Sequence, residues 1–119
     1  MPNNMKPKIY HNPRCSKSRQ TLALLTDRGI TPQIIEYLKD APTEAEIREV
    51  AEMLGLSSVR GMMRTGESIY KELNLKDVTD EGKLIRAVVE NPKLLERPIV
   101  IKDGKAKIGR PPESVLALF

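Results

Sequence analysis

Tryptophan is absent from this 119-residue chain, phenylalanine occurs once and tyrosine three times. So few aromatics exclude the stacking platforms that hold single-stranded nucleic acid. They also leave the core to Leu, Ile, Val, Met and Ala. Cysteine occurs once, so no internal disulfide can form and a disulfide-stapled secreted domain is excluded. One cysteine and one histidine cannot build a metal centre of the usual four-ligand kind, and no metal is expected. No apolar run exceeds about five residues, against the roughly 20 that a membrane-spanning helix needs. The opening MPNNMKPK has no apolar stretch behind its charges, so no signal peptide is expected. Repeats, low-complexity tracts and linkers are lacking too. These absences point to a cytoplasmic protein whose single thiol stays reduced.

What is present is an ordinary globular balance, 39% hydrophobic and 30% charged. The length fits one domain, residues 1–119, able to bury roughly two-thirds of its unfolded surface. The net charge of +4 is spread among alternating acidic and basic residues, which reads as a solvated mixed surface. No nucleic-acid partner is expected, and the chain is expected to be a monomer.

The chain opens with a strand at Ile9 to Asn12, ended by the turn signal Asn12-Pro13. A helix from Ser16 to about Arg28 carries Thr21, Leu22, Ala23 and Leu25 on its apolar side, and Gly29 closes it. Gln33 to Tyr37 forms a second strand. Strand, helix and strand within thirty residues make a βαβ unit with parallel strands and a right-handed crossover. Thr43-Glu44-Ala45-Glu46 is a capping box that starts a helix to about Leu54, with Gly55 at its end. Short helical pieces follow at Ser58 to Met63 and Glu67 to Leu73, then a helix from Asp80 to Glu90 stopped by Asn91-Pro92. Beyond it the period becomes that of strands. Pro98 to Ile101 and Ala106 to Ile108 flank the turn Lys102-Asp103-Gly104, and Pro111-Pro112 opens a terminal helix. The order β-α-β, helical insert, β-β-α is a thioredoxin-like α/β layout with a mixed four-stranded sheet.

Cys15 falls where the first strand gives way to the first helix. Unpaired N–H groups and the positive end of the helix dipole favour a thiolate there. Such placement lowers a free-cysteine pKa of about 8.5 by one to several units. Arg14, Lys17 and Arg19 add positive charge, and the hydroxyls of Ser16 and Ser18 add donors for an oxyanion. A packing cysteine would sit more naturally on an apolar face than between an arginine and a serine. Ser18 stands where a CxxC motif has its second thiol, so an oxidised Cys15 must be resolved by an external thiol. Phosphatase-type oxyanion chemistry is disfavoured, because Thr21 occupies the position where that loop needs arginine. His11 either tunes the thiolate or is a satisfied strand-end histidine.

Three further arginines matter together, although each alone would read as a surface residue. Arg64 closes the Gly61-Met62-Met63 segment, Arg97 precedes Pro98, and Arg110 precedes Pro111-Pro112. Arg97 and Arg110 flank the hairpin, and likeness to a thioredoxin-like sheet, whose third strand typically opens on a cis proline facing the cysteine loop, implies that Arg97-Pro98 is cis. Guanidinium groups offer paired donors that fit tetrahedral oxyanions.

IYHNPRCSKSRQTL, VRGMMR, ERPIVI and IGRPPE resemble, in order and spacing, the signature segments of the glutaredoxin-coupled arsenate reductase family, from about Lys8 to Phe119. The family loop often carries Gly-Thr after the cysteine, where this chain has Ser16-Lys17. The resemblance implies that Cys15 is the nucleophile and that Arg64, Arg97 and Arg110 bind the oxyanion. It assigns His11, Ser18 and Arg19 to support of the thiolate loop. Glutathione would be the co-substrate and glutaredoxin the partner, with no bound cofactor. Two other readings stay open: a glutathione-dependent thiol oxidoreductase with another substrate, and a regulator of the Spx type that binds RNA polymerase. Ser18 weighs against the last, since such regulators typically switch through a CxxC pair.

Overall fold

The computed structural model describes residues 6–119; residues 1–5, part of the stretch read above as lacking a signal peptide, lie outside the described residues. Packing divides the chain into two compact units. Of the described residues, one comprises 6–40 and 97–119; the other, residues 41–96, is the helical insert expected from the sequence.

The first unit is built on a four-stranded mixed sheet of order β2-β1-β3-β4. Strand β1 is Lys8–Tyr10, β2 Gln33–Ile35, β3 Ile99–Lys102 and β4 Lys105–Ile108. β1 and β2 run parallel, joined through helix α1, Ser16–Asp27, whereas β1–β3 and β3–β4 are antiparallel. Ile9 of β1 faces Val100 of β3 in the ladder. Both are fully buried with Leu25 and Val115, and Leu22, Ile30 and Leu118 pack around them. The β3–β4 turn is the two-residue Asp103-Gly104, both with positive φ, the geometry that matches the twist of paired strands.

The expected element order holds, with local corrections. β1 ends at Tyr10 and β2 at Ile35, two residues earlier than the sequence suggests in each case. Tyr37 is nevertheless buried, because its ring is apolar enough to fill the core from a turn. On α1 the buried residues are Ser18, Thr21 and Leu25, while Ala23 is exposed. The terminal segment Pro112–Leu118 is a 3-10 helix. Arg97-Pro98 is cis as expected; Arg110-Pro111 is cis as well, and no sequence feature distinguishes it in advance.

In the second unit α2, Glu44–Met53, is started by the capping box of Thr43 and Glu46. α2 packs with α4, Glu81–Glu90, and with a 3-10 turn at Val59–Met62. α3, Ser68–Glu72, is a single short helix. Arg60 staples this unit from within: it donates to the Leu75 carbonyl at 2.9 Å and bonds the Tyr70 hydroxyl and the Val78 carbonyl. Among the described residues, no helix is long and apolar enough to cross a membrane.

Candidate active site

Cys15 is the N-cap residue of α1, in extended conformation. The local sequence puts it there. Asn12 folds the chain after β1: its side-chain oxygen accepts from the Arg14 N–H and its carbonyl from the Cys15 N–H, both at 3.0 Å. The Cys15 carbonyl accepts from the Arg19 N–H at 3.0 Å, which begins the helix. The Arg19 guanidinium then reaches back to donate to the Pro13 carbonyl at 2.9 Å. No acidic residue lies in the first turn of α1, so nothing there opposes the positive end of the helix.

The sulfur is largely buried. Burial alone would raise the thiol's pKa, but it is outweighed by the Ser18 N–H, by hydrogen bonding and charge from Arg97, and by the Lys17 N–H. The thiol is therefore held below its ordinary value. The two amides act on the sulfur as electrostatic donors, and no conventional side-chain cap bond forms. Arg110 stands at the same sulfur, its Nη2 3.9 Å from Sγ.

The hairpin brings these arginines together. Ile99 pairs with Ile108, and the Gly109 N–H continues the ladder to the Pro98 carbonyl at 2.9 Å. That pairing aligns the start of β3 with the end of β4. Arg110 then donates from Nε to the Arg97 carbonyl at 2.9 Å. Gly109 is required by space: a Cβ there would lie 2.6 Å from Thr21 Oγ1 and 2.8 Å from Pro98 Cγ. Arg97 Nε is buried and has no hydrogen-bond partner among the described residues. A buried charged donor left unpaired is costly and calls for an explanation.

His11 and Ser18 form a buried pair behind the loop. Ser18 Oγ lies 2.6 Å from His11 Nδ1 and accepts the Asn12 N–H at 3.0 Å. His11's pKa is lowered, first by burial and further by Arg19, with Glu36 opposing. Neutral His11 can accept at Nδ1, so the hydrogen-bond network assigns the Ser18 hydroxyl as donor to it. This corrects one expectation: the Ser18 hydroxyl is committed to His11 and Asn12 and is not offered to an oxyanion. Its backbone N–H serves the thiolate instead.

The first unit thus brings Cys15, Arg97, Arg110, His11, Ser18 and Arg19 into one neighbourhood. Arg64 belongs to the second unit, where it pairs with Glu67 at 2.7 Å and Glu96 at 3.6 Å. Those glutamates escaped sequence reasoning. Glu67 carried a usable signal, the i,i+3 spacing from Arg64; Glu96 carried none.

A single thiol of lowered pKa at a helix start is thus faced by guanidinium groups from the hairpin of a thioredoxin-like sheet. The chain belongs to the ArsC family, whose profile matches residues 10–118. Arsenate reductase from Haemophilus influenzae is 51% identical over 112 residues, 93% of this chain and 97% of that one. An uncharacterized Escherichia coli protein, YfgD, is 54% identical over 112 residues, 93% of this chain and 94% of that one. Among solved structures, an arsenate reductase from Vibrio cholerae matches with TM-score 0.94 and 52% identity, covering 98% of this chain and 100% of that one.

Proposed function

We propose that the protein reduces arsenate to arsenite with glutathione, through a covalent adduct on Cys15. The observation that carries this reading is the meeting of Arg97 and Arg110 at the Cys15 sulfur, with Arg97 Nε buried and unpartnered among the described residues. A tetrahedral oxyanion at the thiol would satisfy that donor and neutralise both guanidinium charges.

In the proposed sequence the Cys15 thiolate attacks arsenic, a sulfur–arsenic bond forms, and an arsenate oxygen departs as water after taking up protons. Glutathione thiolate next attacks the Cys15 sulfur. The electron pair of the sulfur–arsenic bond leaves on arsenic, which falls from As(V) to As(III), and Cys15 is left in a mixed disulfide with glutathione. Glutaredoxin then takes the glutathione and restores the thiol. Neutral His11 and Ser18 hold the loop, and Arg19 braces it. Arg64 enters this scheme through the resemblance of VRGMMR alone. The reaction requires one chain, no bound cofactor and no metal.

The test is a coupled assay containing arsenate, glutathione, glutaredoxin, glutathione reductase and NADPH. Arsenate-dependent loss of NADPH that vanishes in Cys15→Ser is expected. No loss above the arsenate-free background would overturn the reading. Turnover with another oxidised substrate, arsenate being inert, would favour the alternative of a glutathione-dependent reductase of different specificity. Capture of RNA polymerase without turnover would favour the regulator.

A further inference from the structure

The groups that the first unit gathers at the Cys15 sulfur are donors and cations. Arg110 Nη2 lies 3.9 Å from Sγ, Arg97 acts on the thiol by hydrogen bond and charge, and the Ser18 and Lys17 amides donate to it. Arg97 Nε is buried with no hydrogen-bond partner among the described residues. The first turn of α1 carries no acidic residue to repel an anion. Nothing in this set is specific to arsenic. It fits a divalent tetrahedral oxyanion and sets a nucleophilic sulfur beside it.

We infer that Cys15 also takes sulfur from thiosulfate, which makes the protein a sulfurtransferase for oxyanions that carry sulfur bonded to sulfur. The inference uses the same thiol and arginines as the arsenate reading but needs neither arsenate nor glutathione. Thiosulfate has the tetrahedral shape and double charge of arsenate, with two unlike ends. Its oxygens are strong acceptors and go to the guanidinium donors, whereas its terminal sulfur is a weak acceptor and is left for Cys15. Phosphate and sulfate share the shape but lack the sulfur–sulfur bond that a thiolate breaks by exchange. Size favours thiosulfate as well. Cys15 is 9% exposed, which favours a compact anion over a bulky sulfur donor.

In the transfer step the Cys15 thiolate attacks the terminal sulfur, as in thiol–disulfide exchange. A bond forms between those two sulfurs, the sulfur–sulfur bond of thiosulfate breaks, and its electron pair leaves with sulfite. Arg97 and Arg110 neutralise the charge that gathers on the sulfite oxygens. Cys15 is left as a persulfide anion. The single cysteine of the chain preserves this product, because a second thiol would attack it, close a disulfide and release sulfide. The added sulfur therefore stays on Cys15 until an external nucleophile takes it. A thiol would carry it away as a persulfide and cyanide as thiocyanate. In either case the electron pair of the broken bond returns to Cys15 as thiolate.

The experiment follows the intact mass of the reduced protein, incubated anaerobically with thiosulfate and without arsenate or glutathione. Sulfate at equal concentration is the control. A gain of one sulfur atom is expected, absent in Cys15→Ser and discharged by cyanide as thiocyanate. Its rate is divided by the rate of alkylation by iodoacetamide, an uncharged reagent, at the same pH, which removes changes in thiolate reactivity. Arg110→Ala should lower this ratio about a hundredfold, and Arg110→Lys, which keeps the charge, by less. No gain beyond the sulfate control, a gain that survives Cys15→Ser, or a ratio unmoved in both Arg110 variants would overturn the inference. Arsenate turnover without the sulfur gain sinks this inference alone, whereas the gain without arsenate turnover sinks the arsenate reading alone.

Discussion

The pKa of the Cys15 thiol is lowered by groups from distant parts of the chain, and this decides how much a residue-level reading of the sequence can see. Cys15 itself was legible: a lone cysteine after a turn and before an amphipathic stretch is a helix-start thiol on local grounds. The donors nearest in sequence, the Ser18 and Lys17 amides, follow from that placement. The guanidinium of Arg97 does not, since it lies 82 positions further along the chain; its place before Pro98 at the start of the hairpin and the resemblance of ERPIVI pointed to it. Because Arg97 acts both by hydrogen bond and by charge to depress the thiol, Arg97→Ala should move the Cys15 pKa upward. The pH dependence of iodoacetamide alkylation reads this directly; an unmoved midpoint would remove Arg97 from the account.

The His11–Ser18 pair makes predictions of its own. Ser18→Ala leaves the buried Nδ1 of His11 and the Asn12 N–H without their shared partner, and should cost about 1–3 kcal/mol in denaturant unfolding. His11's pKa is lowered in the folded protein, so between the folded and unfolded values the unfolded chain binds more protons. The corresponding stability is complete above about pH 6.5, the unfolded value, and is lost as pH falls through the folded pKa. Unfolding midpoints measured across that range should decline toward acid, and the decline should be smaller in His11→Gln. Equal declines in the two proteins would contradict the assignment.

At the scale of elements, the hairpin is what converts two remote arginines into neighbours. Strand character at Pro98 to Ile108 and the Asp103-Gly104 turn were readable from period and turn chemistry. The need for glycine at 109 was not, because it arises from Thr21 and Pro98 closing around that position. Gly109→Ala would press a methyl group against both. Overpacking of this kind costs about 1–3 kcal/mol, and the shift of the end of β4 should carry Arg110 away from the sulfur. The expected result is a lower unfolding midpoint together with a raised arsenate requirement. Loss of stability alone, with arsenate kinetics unchanged, would show that Arg110 is not held by this contact. Strand ends were read too long for a similar reason: Tyr37 has strand-like composition, yet its burial comes from a turn.

Over the whole molecule, the element order was enough to give the thioredoxin-like layout, since a βαβ half, an insert and a ββα half leave few alternatives once crossovers are right-handed. The helical insert was visible as an interruption in strand period, but its internal economy was not. Arg60 serves that unit's carbonyls, and Arg64 is held by Glu67 and Glu96. Neither role can be told from sequence, where both are simply arginines near a glycine. Family membership accounts for the fold and for the signature segments; the chemistry assigned to this chain rests on the monothiol and its arginines.

In the proposed chemistry arsenate is the oxidant that joins two reduced thiols, and this is open to observation on Cys15. The protein, fully reduced and freed of oxidised glutathione, is incubated anaerobically with reduced glutathione, with and without arsenate, and its intact mass is measured before glutaredoxin is added. The account predicts a single glutathione on Cys15 only when arsenate is present, removed by glutaredoxin. No adduct above the arsenate-free control, or an arsenate-dependent adduct that persists in Cys15→Ser, would contradict it.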